Sequence, residues 1–415
     1  MGSRHGRGLV LLVVLYGMLL WVVASAASRR NGFAWVLLGS VALGFALRRR
    51  RRGRPQALYR LCFVLLLAAV TALGAEGLLW LDPGLVTGVV ANKLYSRYHV
   101  YTGGMYERDR NIGHALRPSF HAQTYWNGHW WRHDTNAQGF RGPEVSQADV
   151  VFLGDSMIYG HGVDTDRTVP ARFGALTGRS VANLGQESTG LLEASVLLRR
   201  KGLRLQPRLV FVCSHPNDSS DETTLYAPDE LRRFLADGDY VPVVRERALW
   251  PKPWYDLFEV WTRHLGLPLR SSGLAGTLAK AAWDGNLELR RGGKARPPER
   301  FVPSAKYVHE PFPPLAPGAS PELRLGWEVQ RQAVALIHRL AKRIGARVVL
   351  FDIGYPLEFS RAVEGLARDE GLEYSPAGRA ILDRVLAGED LYLADDGHWN
   401  PAGTDAVARE LARYW

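Results

Sequence analysis

The hydrophobic and polar positions divide the chain into a strongly apolar N-terminal part and a longer part in which short apolar runs alternate with amphipathic ones. Residues 8–27 and 32–47 are uncharged apolar runs, and residues 61–81 form a third run that carries only Glu76. Apolar runs of about 20 residues predict membrane-spanning helices, although the second run is short for a span. We therefore expect about three transmembrane helices in residues 1–82.

From residue 149 onwards, the pattern repeats a strand, a loop and a helix. The apolar runs that predict strands lie at residues 149–154, 180–185, 208–214 and 346–353, and the amphipathic runs that predict helices lie at 169–178, 190–203, 325–345 and 375–388. Apolar runs of strand length are typical of parallel strands that helices cover on both faces. We therefore predict an α/β domain over residues 149–415, a three-layer α/β/α sandwich that binds its ligands at the carboxyl ends of parallel strands.

Two segments do not follow this alternation. Residues 83–148 lead from the apolar part to the sheet, and their stretch 124–144 is rich in polar, aromatic and glycine residues, which indicates irregular structure or short strands. Residues 219–320 hold many Pro, Gly and charged residues and several Trp. This composition predicts an insertion of loops and short helices beside the sheet.

The net charge of +11 comes from the N-terminal segment. Residues 1–60 contain eleven Arg and no Lys, Asp or Glu, so the remainder of the chain is formally neutral, which argues against nucleic-acid binding. Six of these Arg lie at 48–52 and 54, and Arg-dense loops stay in the cytoplasm, where they can contact anionic lipid. We therefore predict a multi-pass inner-membrane protein whose chain after about residue 82 lies on the periplasmic side.

The first apolar run allows a second interpretation. Arg4 and Arg7 precede it, and it ends in Ala24-Ser25-Ala26, a pattern that resembles a cleavable secretory signal. We favour an uncleaved helix, and with either interpretation the main domain faces the same side of the membrane.

The chain has two cysteines, Cys62 in the third apolar run and Cys213 in a predicted strand, so no disulfide is expected. An exported domain without a disulfide must rely on its hydrophobic core. No group of cysteines and histidines has the spacing of a metal site, and we expect neither a metal nor a cofactor.

Ser156 is the first residue with a chemical implication. It lies in Gly-Asp-Ser (154–156), two residues beyond the first strand, where such sheets place their sites. A serine hydroxyl needs a neighbouring base to become a nucleophile, and His398 is the candidate. Asp395, three residues before His398, can orient the imidazole and stabilise the imidazolium. Asp396 competes for this role, but its closer spacing suits the ring less well.

Acyl transfer also needs hydrogen-bond donors for the oxyanion of the tetrahedral intermediate. The stretch 183–190, NLGQESTG, is a turn at the end of the second strand whose backbone amides can point at a ligand. Asn217 follows the third strand, and its side-chain amide can donate as well. A serine, two sets of donors and an Asp-x-x-His thus fall at successive strand ends of one sheet.

These blocks resemble the SGNH hydrolases of the GDSL esterase and lipase superfamily. GDS (154–156), PND (216–218) and DDGH (395–398) match the first, third and fourth blocks of that family in order, and NAQGFRGPE (136–144) resembles a lead-in of exported members. The resemblance runs from about residue 130 to the C-terminus, and it implies a parallel, flavodoxin-like sheet.

The resemblance implies a role for each matched residue. Ser156 is the nucleophile, His398 the general base and acid, and Asp395 its orienting carboxylate. The oxyanion hole comprises the Ser156 amide, a second-block amide and the Asn217 side chain. The second-block glycine of the family falls on Ser188 here, which costs conformational freedom if the position needs a positive φ. The supporting candidates nearby are Asp155, Gly185 and Gly190.

Other residues near the expected site have more than one interpretation. Gly-Asp-Ser could form only a turn and a helix cap. His161 fits a surface position on the helix after Ser156, and His215 could line the pocket. The aromatic cluster of the lead-in could stack on sugar rings, although packing on the main domain or at the bilayer surface is the simpler interpretation. This cluster comprises Tyr125, Trp126, Trp130 and Trp131.

We therefore expect a serine ester hydrolase outside the cytoplasm, with O-acetyl groups on an envelope glycan or lipid as its substrate. An O-acyltransferase that modifies an extracytoplasmic polysaccharide would use the same triad, but the lack of an obvious transmembrane acyl-donor channel favours the hydrolase. A catalytically silent, membrane-tethered glycan-binding or scaffold module is the alternative of another class, which Ser188 at the glycine position mildly favours.

Overall fold

A computed structural model describes residues 96, 98, 104–245, 300–394 and 396–415. Two short hairpins precede a five-stranded sheet within these ranges. The strands are β1 (Tyr106–Asp109), β2 (Gly113–Leu116), β3 (His121–Trp126), β4 (His129–Asp134), β5 (Val150–Leu153), β6 (Val181–Asn183), β7 (Leu209–Ser214), β8 (Arg347–Asp352) and β9 (Glu373–Ser375). The α-helices are α1 (Ser156–Tyr159), α2 (Val169–Thr177), α3 (Leu191–Arg200), α4 (Asp218–Leu225), α5 (Pro228–Ala236), α6 (Ala305–Val308), α7 (Pro321–Arg343), α8 (Leu357–Asp369), α9 (Ala377–Leu386) and α10 (Pro401–Leu411).

The large sheet has the strand order β6-β5-β7-β8-β9, and every neighbouring pair is parallel. In chain order this is 2-1-3-4-5, the flavodoxin-like order, so the predicted parallel sheet is confirmed. The direction of winding reverses beside β5, and such a reversal places a crevice outside the carboxyl ends of the strands. Ser156 follows β5 at this point.

Helices cover both faces of the sheet because the side chains of its strands alternate. In β5, Val151 and Leu153 pack into one buried cluster with α3, α7 and α8. Val150 and Phe152 pack into a second cluster with α2, α9 and α10. The predicted three-layer arrangement is therefore confirmed, and truncation of a core side chain such as Phe152 to alanine is expected to cost about 3–5 kcal/mol.

The lead-in segment forms two antiparallel hairpins, β1–β2 and β3–β4. The turn between β3 and β4 consists of Asn127 and Gly128, whose φ angles are 46° and 88°. A two-residue turn with positive φ matches the twist of paired strands, and Asn-Gly is its preferred sequence. The short strands that the composition allowed are therefore present.

Some elements were not predicted from the hydrophobic pattern. The edge strand β9 has three residues, too few for a periodic signal, and α8 connects it to β8. Helix α7 starts at Pro321 rather than at residue 325, because the Ser320 side chain caps it by accepting from the Leu323 amide.

Much of the predicted insertion and all of the predicted spans lie outside the described residues. The described parts of 219–320 contain α4, α5 and α6, whereas 246–299 are not among the described residues. No helix of the described ranges is long and apolar enough to cross a membrane. Cys62 is likewise outside these ranges, and Cys213 is a buried free thiol in β7.

Candidate active site

Ser156 is the first residue of α1, and the two residues before it explain its position. Gly154 has a φ of 152°, and a Cβ there would lie 2.7 Å from the Ile158 Cγ1, so only glycine fits. Asp155 caps the helix, because its Oδ1 accepts a hydrogen bond from the Met157 amide at 3.0 Å. The turn-and-cap interpretation of Gly-Asp-Ser is therefore locally correct, and the same turn presents Ser156 at the carboxyl end of β5.

His398 contacts Ser156 directly. The His398 Nε2 lies 2.7 Å from the Ser156 Oγ, although the two residues are 242 positions apart in the chain. The His398 Nδ1 lies 2.5 Å from the Asp396 Oδ1. An imidazole in this position can take the serine proton through Nε2 while a carboxylate holds its Nδ1–H.

The carboxylate that contacts the His398 Nδ1 in the structure is that of Asp396, and the expected Asp395 lies outside the described residues. The Asp396 Oδ1 accepts from both the His398 Nδ1 (2.5 Å) and the His398 backbone amide (3.0 Å). The tight turn folds the Asp396 side chain back onto the ring two residues later, so the close spacing that counted against Asp396 produces both contacts. Nδ1 has one hydrogen to donate, and Asp396 accepts it in this structure.

This contact shifts the pKa of both partners. Burial raises the pKa of the Asp396 carboxyl, but the hydrogen bond from His398 and the nearby imidazoles outweigh burial and lower its pKa to about 2. Burial lowers the pKa of His398, but the hydrogen bond to Asp396 and the charges of Asp396, Glu187 and Asp155 outweigh it and raise the pKa. The result is an ionised carboxylate beside a strengthened base, which is what proton removal from Ser156 requires.

The expected donor Asn217 is directed towards other partners. Its Nδ2 donates to the Asp221 Oδ2 at 3.0 Å, and its Oδ1 contacts the His215 Nδ1. No hydrogen bond joins Asn217 to Ser156 within the described residues. An amide nitrogen carries two hydrogens, and Asp221 takes one of them.

The residues of the turn 183–190, which corresponds to the second block of the family, differ in backbone conformation and in hydrogen bonding. Ser188 has a φ of 51°, in the left-handed region that favours glycine. The Gly185 amide donates to the Asn183 Oδ1 (3.0 Å), and the Gly190 amide donates to the Glu193 Oε2 (2.7 Å). A Cβ at either glycine would lie under 3.0 Å from a neighbouring atom. The two supporting glycines are therefore needed for close packing, and their amides are already engaged.

His161 belongs to the site, so the expectation that it lies on the surface is wrong. It is 5% exposed, and its ring stacks on that of His398 with centroids 4.2 Å apart. Helix α1 ends at Tyr159, because Gly160 adopts the left-handed conformation (φ 87°), and His161 follows this turn. Gly160 is the sequence signal that could have shown that the helix stops before His161.

Glu187 is a site residue that no sequence pattern indicated. Its Oε1 lies 3.0 Å from the His161 Nδ1 and accepts from the Tyr98 hydroxyl at 2.8 Å. Burial raises the pKa of Glu187, but the contacts with His161 outweigh burial and lower it. An ionised carboxylate therefore lies beside His161, one residue before Ser188.

His215 lies near Ser156, in agreement with the expectation that it could line the pocket. Its Nδ1 is 3.9 Å from the Asp155 Oδ2, and the same oxygen is 3.4 Å from the Ser156 Oγ. Burial lowers the pKa of the His215 imidazole, which favours its neutral form.

The aromatic cluster of the lead-in divides between the two faces of the β3–β4 hairpin. Trp126 and Trp131 pack against His161, with ring centroids 6.1 and 4.9 Å away. Trp130 is 43% exposed and packs beside Tyr125, at 5.0 Å. The packing interpretation is therefore correct for Trp126 and Trp131, which bring the hairpin against His161.

Among the described residues, one group could hold a metal ion. His161, Asp396 and His398 each offer a ligand atom, and these atoms lie within 4.8 Å of one another. A cation there would replace the hydrogen bond between Asp396 and His398, so metal binding would compete with the function of His398 as a base.

No family model and no curated protein matches this sequence. The chain is similar to the solved structure of a protein assigned to the G-D-S-L lipolytic family from Desulfitobacterium hafniense DCB-2, with 11% identity, coverage of 64% of this chain and 98% of that chain, and a TM-score of 0.36. It is also similar to the acetylxylan esterase Axe2 from Geobacillus stearothermophilus, with 12% identity, coverage of 65% of this chain and 94% of that chain, and a TM-score of 0.31. A third similar structure is that of a protein assigned as a GDSL-like lipase from Parabacteroides merdae ATCC 43184, with 11% identity, coverage of 64% of this chain and 95% of that chain, and a TM-score of 0.30. Identities and TM-scores this low establish neither membership of a family nor an activity.

Proposed function

We propose that this protein is a serine ester hydrolase that acts outside the cytoplasm, with Ser156 as its nucleophile. The observation that carries the proposal is the 2.7 Å contact between the Ser156 Oγ and the His398 Nε2, continued by the 2.5 Å contact between the His398 Nδ1 and Asp396. A hydroxyl, an imidazole and a carboxylate in this order activate a serine for acyl transfer.

The reaction follows from these contacts. The Ser156 Oγ attacks the ester carbonyl while the His398 Nε2 takes the hydroxyl proton, and Asp396 stabilises the imidazolium through Nδ1–H. The imidazolium then gives its proton to the leaving alcohol, which leaves an acyl group on Ser156. His398 finally activates a water that releases the acid.

The oxyanion donors in this proposal are the Ser156 amide, the Ser188 amide and the Asn217 side chain. Asp221 holds one hydrogen of the Asn217 amide at 3.0 Å. Asn217 must therefore use its second hydrogen or turn away from Asp221 when the tetrahedral intermediate forms.

The substrate class in this proposal is an O-acylated envelope glycan or lipid. The apolar runs and the Arg run at 48–52 support a location at the outer face of the inner membrane. The partly exposed Trp130 beside Tyr125 offers an aromatic face of the kind that packs on sugar rings. Transfer of the acyl group to a sugar hydroxyl instead of water would use the same residues.

The test is turnover of 4-nitrophenyl acetate and of O-acetylated glycans by the full-length chain, with and without added sugar acceptors. A hydrolase releases acetate at a rate that the acceptor does not change, with an initial burst from the acyl-enzyme, and Ser156→Ala abolishes both. Acetylated acceptor would instead identify a transferase. A folded wild type without burst or turnover on any of these esters would contradict the proposal.

A further inference from the structure

His161 lies between two carboxylates. Its Nδ1 is 3.0 Å from the Glu187 Oε1, and its Nε2 is 3.8 Å from the Asp396 Oδ2. The side chains of His161, Glu187 and Asp396 are only 5%, 12% and 9% exposed. Two carboxylates with so little access to water repel each other through a weakly screening medium, so the His161 ring that lies between them keeps their charges apart.

Aromatic rings restrict the orientation of His161. The rings that pack on it belong to Tyr98, Trp126, Trp131 and His398, with centroids 5.9, 6.1, 4.9 and 4.2 Å away. The His398 ring is nearly parallel to that of His161, at 28°. This packing keeps the two nitrogens of His161 facing the two carboxylates.

The two carboxylates are held from outside as well. The Tyr98 hydroxyl donates to the Glu187 Oε1 at 2.8 Å, and the His114 Nε2 lies 2.8 Å from the Glu187 carbonyl oxygen. On the other side, the Asn127 Nδ2 at the tip of the β3–β4 hairpin lies 3.5 Å from the Asp396 Oδ2. The lead-in segment therefore contacts both Glu187 and Asp396, the two residues on either side of His161.

We propose that Glu187 and His161 are positioning residues for the base His398. Glu187 orients His161 by contacting its Nδ1, and the oriented His161 ring lies beside Asp396, 3.8 Å from its Oδ2. Asp396 can then present its Oδ1 to the His398 Nδ1, while the His161 ring supports the face of the His398 ring. The consequence for catalysis rests on the proposed function, whereas the effect on the Asp396–His398 hydrogen bond does not.

The charges around His398 give the inference a second measurable consequence. The titratable groups that face His398 belong to Asp396, Glu187, Asp155, His161 and His215. The negative charge of Glu187 contributes to the raised pKa of His398. Removal of that charge should therefore lower the pH at which His398 titrates.

The test uses NMR of the full-length chain labelled with 15N-histidine, in which the His398 signals are those that His398→Ala removes. We expect His161→Phe, which keeps a ring but removes both nitrogens, to speed exchange of the His398 Nδ1 hydrogen with water by about 10- to 100-fold. Glu187→Gln should have a weaker effect on this exchange and should lower the pH at which His398 titrates.

Matched controls separate positioning from general packing. His133 is also fully buried and stacks on an aromatic ring, that of Tyr159, so His133→Phe controls for the loss of a buried imidazole. Asp352 is a buried carboxylate with three hydrogen bonds at the end of β8, so Asp352→Asn controls for Glu187→Gln. Neither control should change the exchange of the His398 Nδ1 hydrogen.

The proposal is overturned if His161→Phe lowers the melting temperature without changing this exchange, because His161 then only packs. It is equally overturned if the Nδ1 hydrogen exchanges freely in the wild type. Labelling of Ser156 by a fluorophosphonate, measured on the same samples, separates the two claims. Faster exchange in His161→Phe without labelling of the wild type would support the positioning role and contradict the proposed function.

Discussion

The two halves of the candidate site differ in how far they are assembled. On the proton-transfer side, His398 lies 2.7 Å from Ser156 and 2.5 Å from Asp396. On the donor side, the Asn217 side chain donates to Asp221 at 3.0 Å. The comparison indicates that the fold itself aligns the proposed nucleophile and base, whereas the proposed oxyanion donor is engaged by a neighbouring carboxylate.

The carboxylates of the two halves also have opposite pKa shifts. On the proton-transfer side, contact with His398 lowers the pKa of Asp396 to about 2. On the donor side, burial raises the pKa of Asp221 to about 6 and that of Glu193 to about 7. The charge that orients His398 is therefore constant near neutral pH, while the charges around the donors change there.

The largest effect is expected from the carboxylate of the proton-transfer side. Asp396→Asn keeps the shape of the side chain but removes the charge that fixes the His398 tautomer, so kcat should fall by about 10⁴-fold. Asp395→Asn is the matched control and should leave kcat nearly unchanged. Steady-state hydrolysis of 4-nitrophenyl acetate measures both, and a large loss in Asp395→Asn alone would restore the original assignment of the triad.

A smaller effect is expected on the donor side. Asn217→Ala should lower kcat by about 10²- to 10³-fold, with little change in KM, because the donor acts mainly in the transition state. Asp221→Ala is the companion variant, and it should lose less activity because it keeps the Asn217 amide and removes only the competing acceptor. If Asn217→Ala stays within about twofold of the wild type, Asn217 is not an oxyanion donor.

The raised pKa of Glu193 predicts a pH-dependent stability. Its folded-state pKa of about 7 lies above the ordinary 4.5, so its stabilising contribution is present below pH 4.5 and is lost as the pH rises through 7. The free energy of unfolding of the wild type should therefore decrease between about pH 5 and about pH 8. In Glu193→Gln this decrease should be smaller by on the order of 1 kcal/mol. Urea unfolding at both pH values measures this, and an unchanged pH dependence would contradict it.

The smallest effect is expected at Ser188. Its φ of 51° is unfavourable for serine, so Ser188→Gly should raise the free energy of unfolding by about 0.5–1 kcal/mol. The backbone amide is retained, so kcat should change little. A urea titration of both proteins tests the stability, and a destabilised Ser188→Gly would show that the serine side chain makes a compensating contact.

The sequence predicted the parts of the molecule that depend on local patterns. The strands β5, β6, β7 and β8 each contain an apolar run, and the burial of these side chains explains why the pattern predicted the strands. Ser156 and His398 could be named as candidates from the sequence because each lies in its own short motif. The edge strand β9 was missed because its three residues, only one of which is buried, carry no such pattern.

The rest of the site depends on contacts between distant segments. The contact of Asp396 with the His398 ring could not be predicted from spacing, because it depends on the turn in which the Asp396 Oδ1 also accepts from the His398 amide. Glu187 and His161 gain their roles from each other and from Tyr98, which lies 89 positions before Glu187. Such side-chain networks leave no periodic or motif signal in a single sequence.

The measurement that most directly tests the activation of Ser156 by His398 is intact-mass analysis of the full-length chain after reaction with a fluorophosphonate probe. The structure predicts that the wild type gains the mass of one probe, which maps to Ser156, and that Ser156→Ala gains none. His398→Ala should remain unlabelled over the same time because its serine has lost the base. Equal labelling of His398→Ala and the wild type, or no labelling of a folded wild type, would contradict the activation of Ser156 by His398.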